Sequence, residues 1–192
     1  MAKRQNMAVP RADAFVAAAN ASARMALRCE SVPERCRLPE TTSEGPGDWR
    51  VVSAPGAGWL PELEDQLPYR WPFRALIGRY LFPSFVCGPL RLYSIGVKDF
   101  AAEDTELSIA VMRDRPLLTA LWKHGYQPFA RPADGSYDPL CFDCGNSSPS
   151  AEPAVVRVDH ERIRISQRLS PAFYLLLEEM TESLSSHSRT SS

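Results

Sequence analysis

The chain has 192 residues, 44% hydrophobic and 23% charged, a balance that supports one folded domain with tails and excludes wholesale disorder. Its formal net charge of -1 removes the large positive field that drives sequence-independent nucleic-acid binding, so nucleic acid is disfavoured as a partner. No apolar run approaches the roughly 20 residues of a membrane span, and the five cysteines (Cys29, Cys36, Cys87, Cys141 and Cys144) are odd in number and irregularly spaced, which argues for a reducing, cytoplasmic setting.

The opening segment carries basic residues and alanines without the compact apolar core of a secretory leader; a transit peptide is the alternative its arginines leave open. Residues 11–28 read as an Ala-rich helix whose apolar set, Phe15, Ala18, Ala19, Ala26 and Leu27, is small enough to predict a peripheral position. ESVPERCRLPETTSEGPGD follows, rich in Pro, Gly, Ser and Thr, so residues 1–48 are expected to be a helix and a flexible linker. A compact domain over residues 49–184 then begins with the strand WRVVS. After the turn APGAG, Leu60, Leu63 and Leu67 recur at helical spacing. In LPYRWPFRALIGRYLFPSF, Phe73, Leu76, Ile77 and Tyr80 fall on one helical face, with Pro72 at the first helical position and Pro83 past the end.

PLRLYSIG predicts a strand with Leu90 and Leu92 on one side. Two short helices follow, marked by Leu107, Ala110 and Val111, and by Leu117, Leu118, Leu121 and Trp122; the second ends at Lys123 and His124 with a Gly125 cap. From Tyr126 the period changes to alternation. YQPFARP and SYDPLCFDC flank ADG as a hairpin with Gly135 at positive φ, and Pro139 demotes the second strand to an edge or a bulge. AVVRV and RIRIS form another hairpin around DHE. Ser170 is expected to cap a helix begun by Pro171, with the stripe Phe173, Leu176, Leu177, Met180 and Leu184, and residues 185–192 to form a disordered tail. Because strands and helices do not alternate regularly, the fold class is α+β, a mainly antiparallel sheet packed with helices.

Chemistry is sparse. CFDC offers two thiolates, but a structural zinc needs about four ligands, and Cys29 and Cys36 lie in the linker; the competing reading puts Cys144 on the buried face with Leu140 and Phe142 and Cys141 on the other. A nucleophilic set of Cys141, Asp159 and His160 needs side chains that neighbouring strand positions aim apart, so Asp159 and His160 are read as turn residues. Asp134, Asp138 and Asp143 cluster in one hairpin, where a divalent-cation site is the sharper reading, but the spacing matches no EF-hand loop; Asp134 is read as a turn former and Asp138 as a turn or edge residue. No P-loop or dinucleotide-binding glycine pattern is present, and no cofactor is implied.

The order of elements resembles the SUKH superfamily, which includes the Smi/Knr-like cell-wall-assembly regulators. LEDQLPYRWPFRALIGRY resembles its helix pair and GSYDPLCFD its later glycine-aromatic strand element, through Leu67, Pro68, Phe73, Leu76, Tyr80, Gly88, Gly135, Tyr137, Phe142 and Asp143 over roughly residues 49–182. The resemblance implies a SUKH-like single domain without enzymatic activity that binds a protein, in many bacterial members a toxin that it neutralises. Arg70, Trp71, Arg74 and Asp138 are the candidate partner contacts, since Trp and Arg are enriched at binding hot spots. The alternative is a small hydrolase or metal-dependent enzyme using Cys141 to Asp143.

Overall fold

The computed structural model describes residues 2–22, 51–53, 73, 76, 77, 79–82, 84–93, 113–147 and 151–189. Among the described residues, three helices, α1 (Ala2–Ser22), α2 (Arg115–Lys123) and α3 (Phe173–Arg189), accompany eight strands, and Phe73, Leu76, Ile77 and Arg79 are helical as well. β1 (Val52–Ser53) and β2 (Tyr80–Leu81) pair with each other. The remaining strands are β3 (Phe85–Cys87), β4 (Leu90–Leu92), β5 (Tyr126–Pro132), β6 (Leu140–Asp143), β7 (Ala154–Asp159) and β8 (Arg164–Ser170). They form a six-stranded sheet in sequential order, antiparallel throughout. The molecule is α+β, as the pattern predicts.

The two faces of the sheet bury different side chains. One carries Phe85, Cys87, Leu90, Leu92, Phe142 and Val155 against α1, α3 and the helical Phe73, Leu76 and Ile77. At its centre, Phe129 and Phe142 stack at 4.2 Å, while Phe73 and Phe173 meet both edge-on or tilted at 5.2 to 5.9 Å. Aromatic pairs in such geometries add about 1 kcal/mol each beyond their buried area. The other face buries Cys141, Val156 and Val158 with Leu121 of α2, and Ile163 and Ile165 pack at the margin.

α2 is set by its ends. Asp114 accepts the Leu117 N–H at 3.0 Å, Pro116 fits the first turn, and Gly125, at φ 78°, lets the chain leave the helix while its N–H bonds the Trp122 carbonyl. Leu118 and Leu121 are buried as the spacing predicts, whereas Trp122 is exposed.

Several sequence expectations change. The N-terminal helix is part of the core: Ala12, Phe15, Val16, Ala18 and Ala19 are buried, and Phe15 stacks on Phe85 at 6.3 Å. It also begins before Pro10, which forgoes one backbone bond without ending it. Tyr80 lies in β2, past the helical residues, where its hydroxyl donates to Asp13 of α1. FVC, to which the sequence pattern assigns no element, is β3, turned into β4 by Gly88 at φ 56°. Pro139 precedes β6, which runs between β5 and β7 in the interior of the sheet. Ser170 ends β8 and donates to the Ala172 carbonyl, while the Tyr174 N–H at the start of α3 is taken by Glu152. α3 continues to Arg189, through part of the segment expected to be a tail.

Candidate functional site

Three segments far apart in sequence converge at the end of the sheet where β5 leaves, β6 enters and β7 turns into β8. The β5–β6 loop supplies Asp134, Tyr137 and Asp138; β7 and its turn supply Arg157 and His160; β5 supplies Arg131 and the start of α2 supplies Asp114. The loop is held locally first. Asp134 accepts the Ser136 N–H at 2.9 Å and the Ser136 hydroxyl accepts the Asp138 N–H at 3.2 Å, side chains folding onto their own backbone as turn residues do.

The β6–β7 register then brings His160 to Asp138. One carboxylate oxygen of Asp138 accepts both the His160 backbone N–H at 3.1 Å and its ring Nδ1–H at 2.8 Å, and the other lies 3.6 Å from Arg157 Nε. Arg157 also donates to Asp134 at 2.9 Å, so one guanidinium ties both ends of the loop. Burial pushes the Asp138 carboxyl up, and the His160 hydrogen bonds with the Arg157 charge more than offset it, leaving the group below the usual carboxylate range.

Tyr137 is the exposed centre of this arrangement. The residue is 51% exposed, yet its side chain is fixed on several sides. The hydroxyl donates to Asp114 at 3.0 Å, the His160 ring meets its edge at 5.0 Å, and Arg131 lies 4.5 Å from the ring centroid while also donating to the Tyr137 carbonyl. The Leu117 N–H and then the Tyr137 hydroxyl hold the Asp114 carboxyl below its ordinary value.

The residues singled out in the sequence fare differently. Arg70, Trp71 and Arg74 lie outside the described residues, as do Cys29, Cys36 and the helix marked by Leu107. Asp138 is in the cluster, where it orients His160 and Arg157. Cys141, Asp159 and His160 are not brought together. Cys141 is fully buried, its thiol pushed well above the ordinary value by burial, and Asp159 accepts the backbone N–H groups of Glu161 and Arg162. Cys141 and Cys144 face opposite clusters as read, and Asp143, 2% exposed, binds Asn146 with both oxygens. Among the described residues no three His, Cys, Asp or Glu side chains converge as metal ligands, and no helix is long and apolar enough to cross a membrane.

Asp114 and Arg131 escape a reading from sequence, since neither belongs to a motif and only the tertiary fold brings them to Tyr137. No family model matches this chain, and neither curated proteins nor solved structures yield a significant match. The SUKH resemblance therefore rests on the sequence elements quoted above.

Proposed function

We propose that this protein is a non-enzymatic protein-binding module whose recognition surface is centred on Tyr137, with neutralisation of a partner toxin as the specific form to test first. The observation that carries the reading is the half-exposed Tyr137 ring held by Asp114, His160 and Arg131. An aromatic side chain immobilised before binding loses little further entropy on contact, and Tyr and Arg dominate the energetics of many interfaces. The toxin is suggested by the superfamily resemblance alone. A cysteine or metal enzyme built on Cys141 to Asp143 has no support in the geometry, because both side chains are buried and engaged elsewhere.

The test is capture of a partner from the parent cell's extract by the tagged full-length chain at low and moderate salt, identified by mass spectrometry and then titrated. Tyr137→Ala is expected to weaken that partner by about 2 kcal/mol, roughly thirtyfold, with the thermal midpoint nearly unchanged. A captured partner that binds the variant as tightly as the natural chain removes Tyr137 from the surface. No stoichiometric protein partner at either salt removes the reading itself.

A further inference from the structure

The helix that begins beside Tyr137 carries a face the fold does not use. α2 turns one side inward, where Leu118 and Leu121 are buried and Leu117 packs beside Leu121. On the opposite side stand Arg115, Thr119, Trp122 and Lys123, all exposed. Their spacing is i, i+4, i+7 and i+8, so at about 3.6 residues per turn they share an arc of about 100°.

Three observations set this face apart from ordinary surface. Trp122, 42% exposed, and Tyr137 are the large hydrophobic residues left exposed among the described residues, and the Trp122 indole N–H makes no hydrogen bond there. Arg11 and Arg157 close on carboxylates at 2.7 and 2.9 Å, whereas Arg115 and Lys123 have no ion pair among the described residues. Arg115 also stands in the first turn, which holds no acid and where the positive end of the helix dipole disfavours a cation, so helix stability gives no reason for it. From Arg113 to Gly125 the single carboxylate is Asp114, already taken by the Leu117 N–H and the Tyr137 hydroxyl.

We infer that the outer face of α2 receives an acidic segment of a protein partner, an apolar side chain resting on Trp122 and carboxylates meeting Arg115 and Lys123, about 12 Å apart along the axis. This rests on the protein-binding reading above and adds the chemistry of the partner. Charge complementarity selects the occupant. A second copy of this chain laid on the face sets cation against cation in either direction, which costs affinity. Nucleic acid is disfavoured because Asp114 and Asp134, at the Tyr137 end of the same surface, repel a phosphate backbone.

The test uses the full chain and fluorescence anisotropy with four labelled probes: a short peptide of glutamate and leucine, a second with glutamine in place of glutamate, a third with serine in place of leucine, and a single-stranded oligonucleotide. The peptide of glutamate and leucine is expected to bind about tenfold more tightly than either counterpart, with affinity that falls as salt is added. Arg115→Glu with Lys123→Glu, and separately Trp122→Ala, are each expected to lose about tenfold. Arg115→Glu alone is expected to weaken the peptide while holding or raising the thermal midpoint, since a carboxylate suits the first turn, and that pairing separates recognition from unfolding. Absent binding, equal binding of the glutamine or serine peptide, preference for the oligonucleotide, or unchanged affinity in the variants overturns the inference. A partner captured from extract that is weakened by Tyr137→Ala and not by the α2 variants removes the α2 face and leaves the Tyr137 reading standing. One weakened by the α2 variants and not by Tyr137→Ala keeps the face and removes Tyr137.

Discussion

Gly125 shows how one residue holds the site's framework. It sits at φ 78°, and a Cβ there would stand 2.6 Å from Gly145 Cα, a backbone atom that has no way to move aside. The approach exists because the N–H groups of Cys144 and Gly145 both bond the Gly125 carbonyl, tying the end of α2 to the end of β6. Gly125→Ala is therefore expected to cost more than about 2 kcal/mol, combining positive-φ strain with a clash, read as a lower urea midpoint at unchanged slope. Gly135, at φ 78° with open space around its missing side chain, is the contrast: Gly135→Ala carries the strain alone, about 1 kcal/mol. The carboxylates of the loop give a second prediction. Asp134, held low by the Ser136 N–H and then by Arg157, joins Asp114 and Asp138 in having a folded pKa below its ordinary value. Such groups stabilise the fold above the unfolded Asp value, about 3.9, and lose that contribution as pH falls through the folded value. The amides of Ser136 and Leu117, which these carboxylates accept, are expected to keep their protection, relative to the intrinsic exchange rate, below the unfolded Asp value of about 3.9 and to lose it only as pH falls further, through the folded values. Protection that persists unchanged to about pH 2 on NMR would remove the carboxylates as the cause.

At the scale of elements, the start of α3 separates what a local pattern can tell from what it cannot. The stripe Phe173, Leu176, Leu177, Met180 and Leu184 is legible because burial on a helix repeats at a fixed spacing, and all five residues are buried. The cap is not legible. Ser170 stands at the right distance before the helix, yet it ends β8, and the acceptor for the Tyr174 N–H comes from Glu152, 22 residues earlier. Glu152→Ala is expected to cost about 1 kcal/mol and Glu152→Gln much less, since the amide oxygen still accepts, as thermal melts of the two variants would show. The same division runs through the candidate site. The hairpins around ADG and DHE follow from turn chemistry and alternation, whereas the meeting of Asp138 with His160 depends on the β6–β7 register and that of Tyr137 with Asp114 on where α2 docks. Pro139 misled for a related reason: a proline immediately before a strand sits as well in the middle of a sheet as at its edge, because the ladder starts one residue later.

For the whole molecule, the decisive question is whether the N-terminal helix belongs to the fold. Its low apolar content suggested an appendage, because small residues make a weak stripe when counted one by one. Packed against α3 and β3, the same small residues let the helix approach closely: Ala12 and Ala19 are fully buried, and Phe15 fills the space over Phe85. Polar contacts fix its position along its length. Arg11 pairs with Glu178 at 2.7 Å and lies over the Tyr174 ring, and the Asn20 side chain binds both the N–H and the carbonyl of Val51, at 2.6 and 3.1 Å, as a neighbouring strand would. Phe15→Ala alone is expected to cost about 3 to 5 kcal/mol, a large part of the 5 to 15 kcal/mol that holds a typical domain together. Deleting residues 2–22 removes that contact and uncovers the apolar side of α3 as well, so the truncated chain is expected to lose its cooperative thermal transition and to bind a hydrophobic dye. A truncated chain that melts at the natural midpoint would show that the remaining residues fold alone and that the helix only rests on them. Loss of the transition, with Phe15→Ala falling between the two, would make the helix a structural member of the domain and would require any search for a partner to use the chain entire.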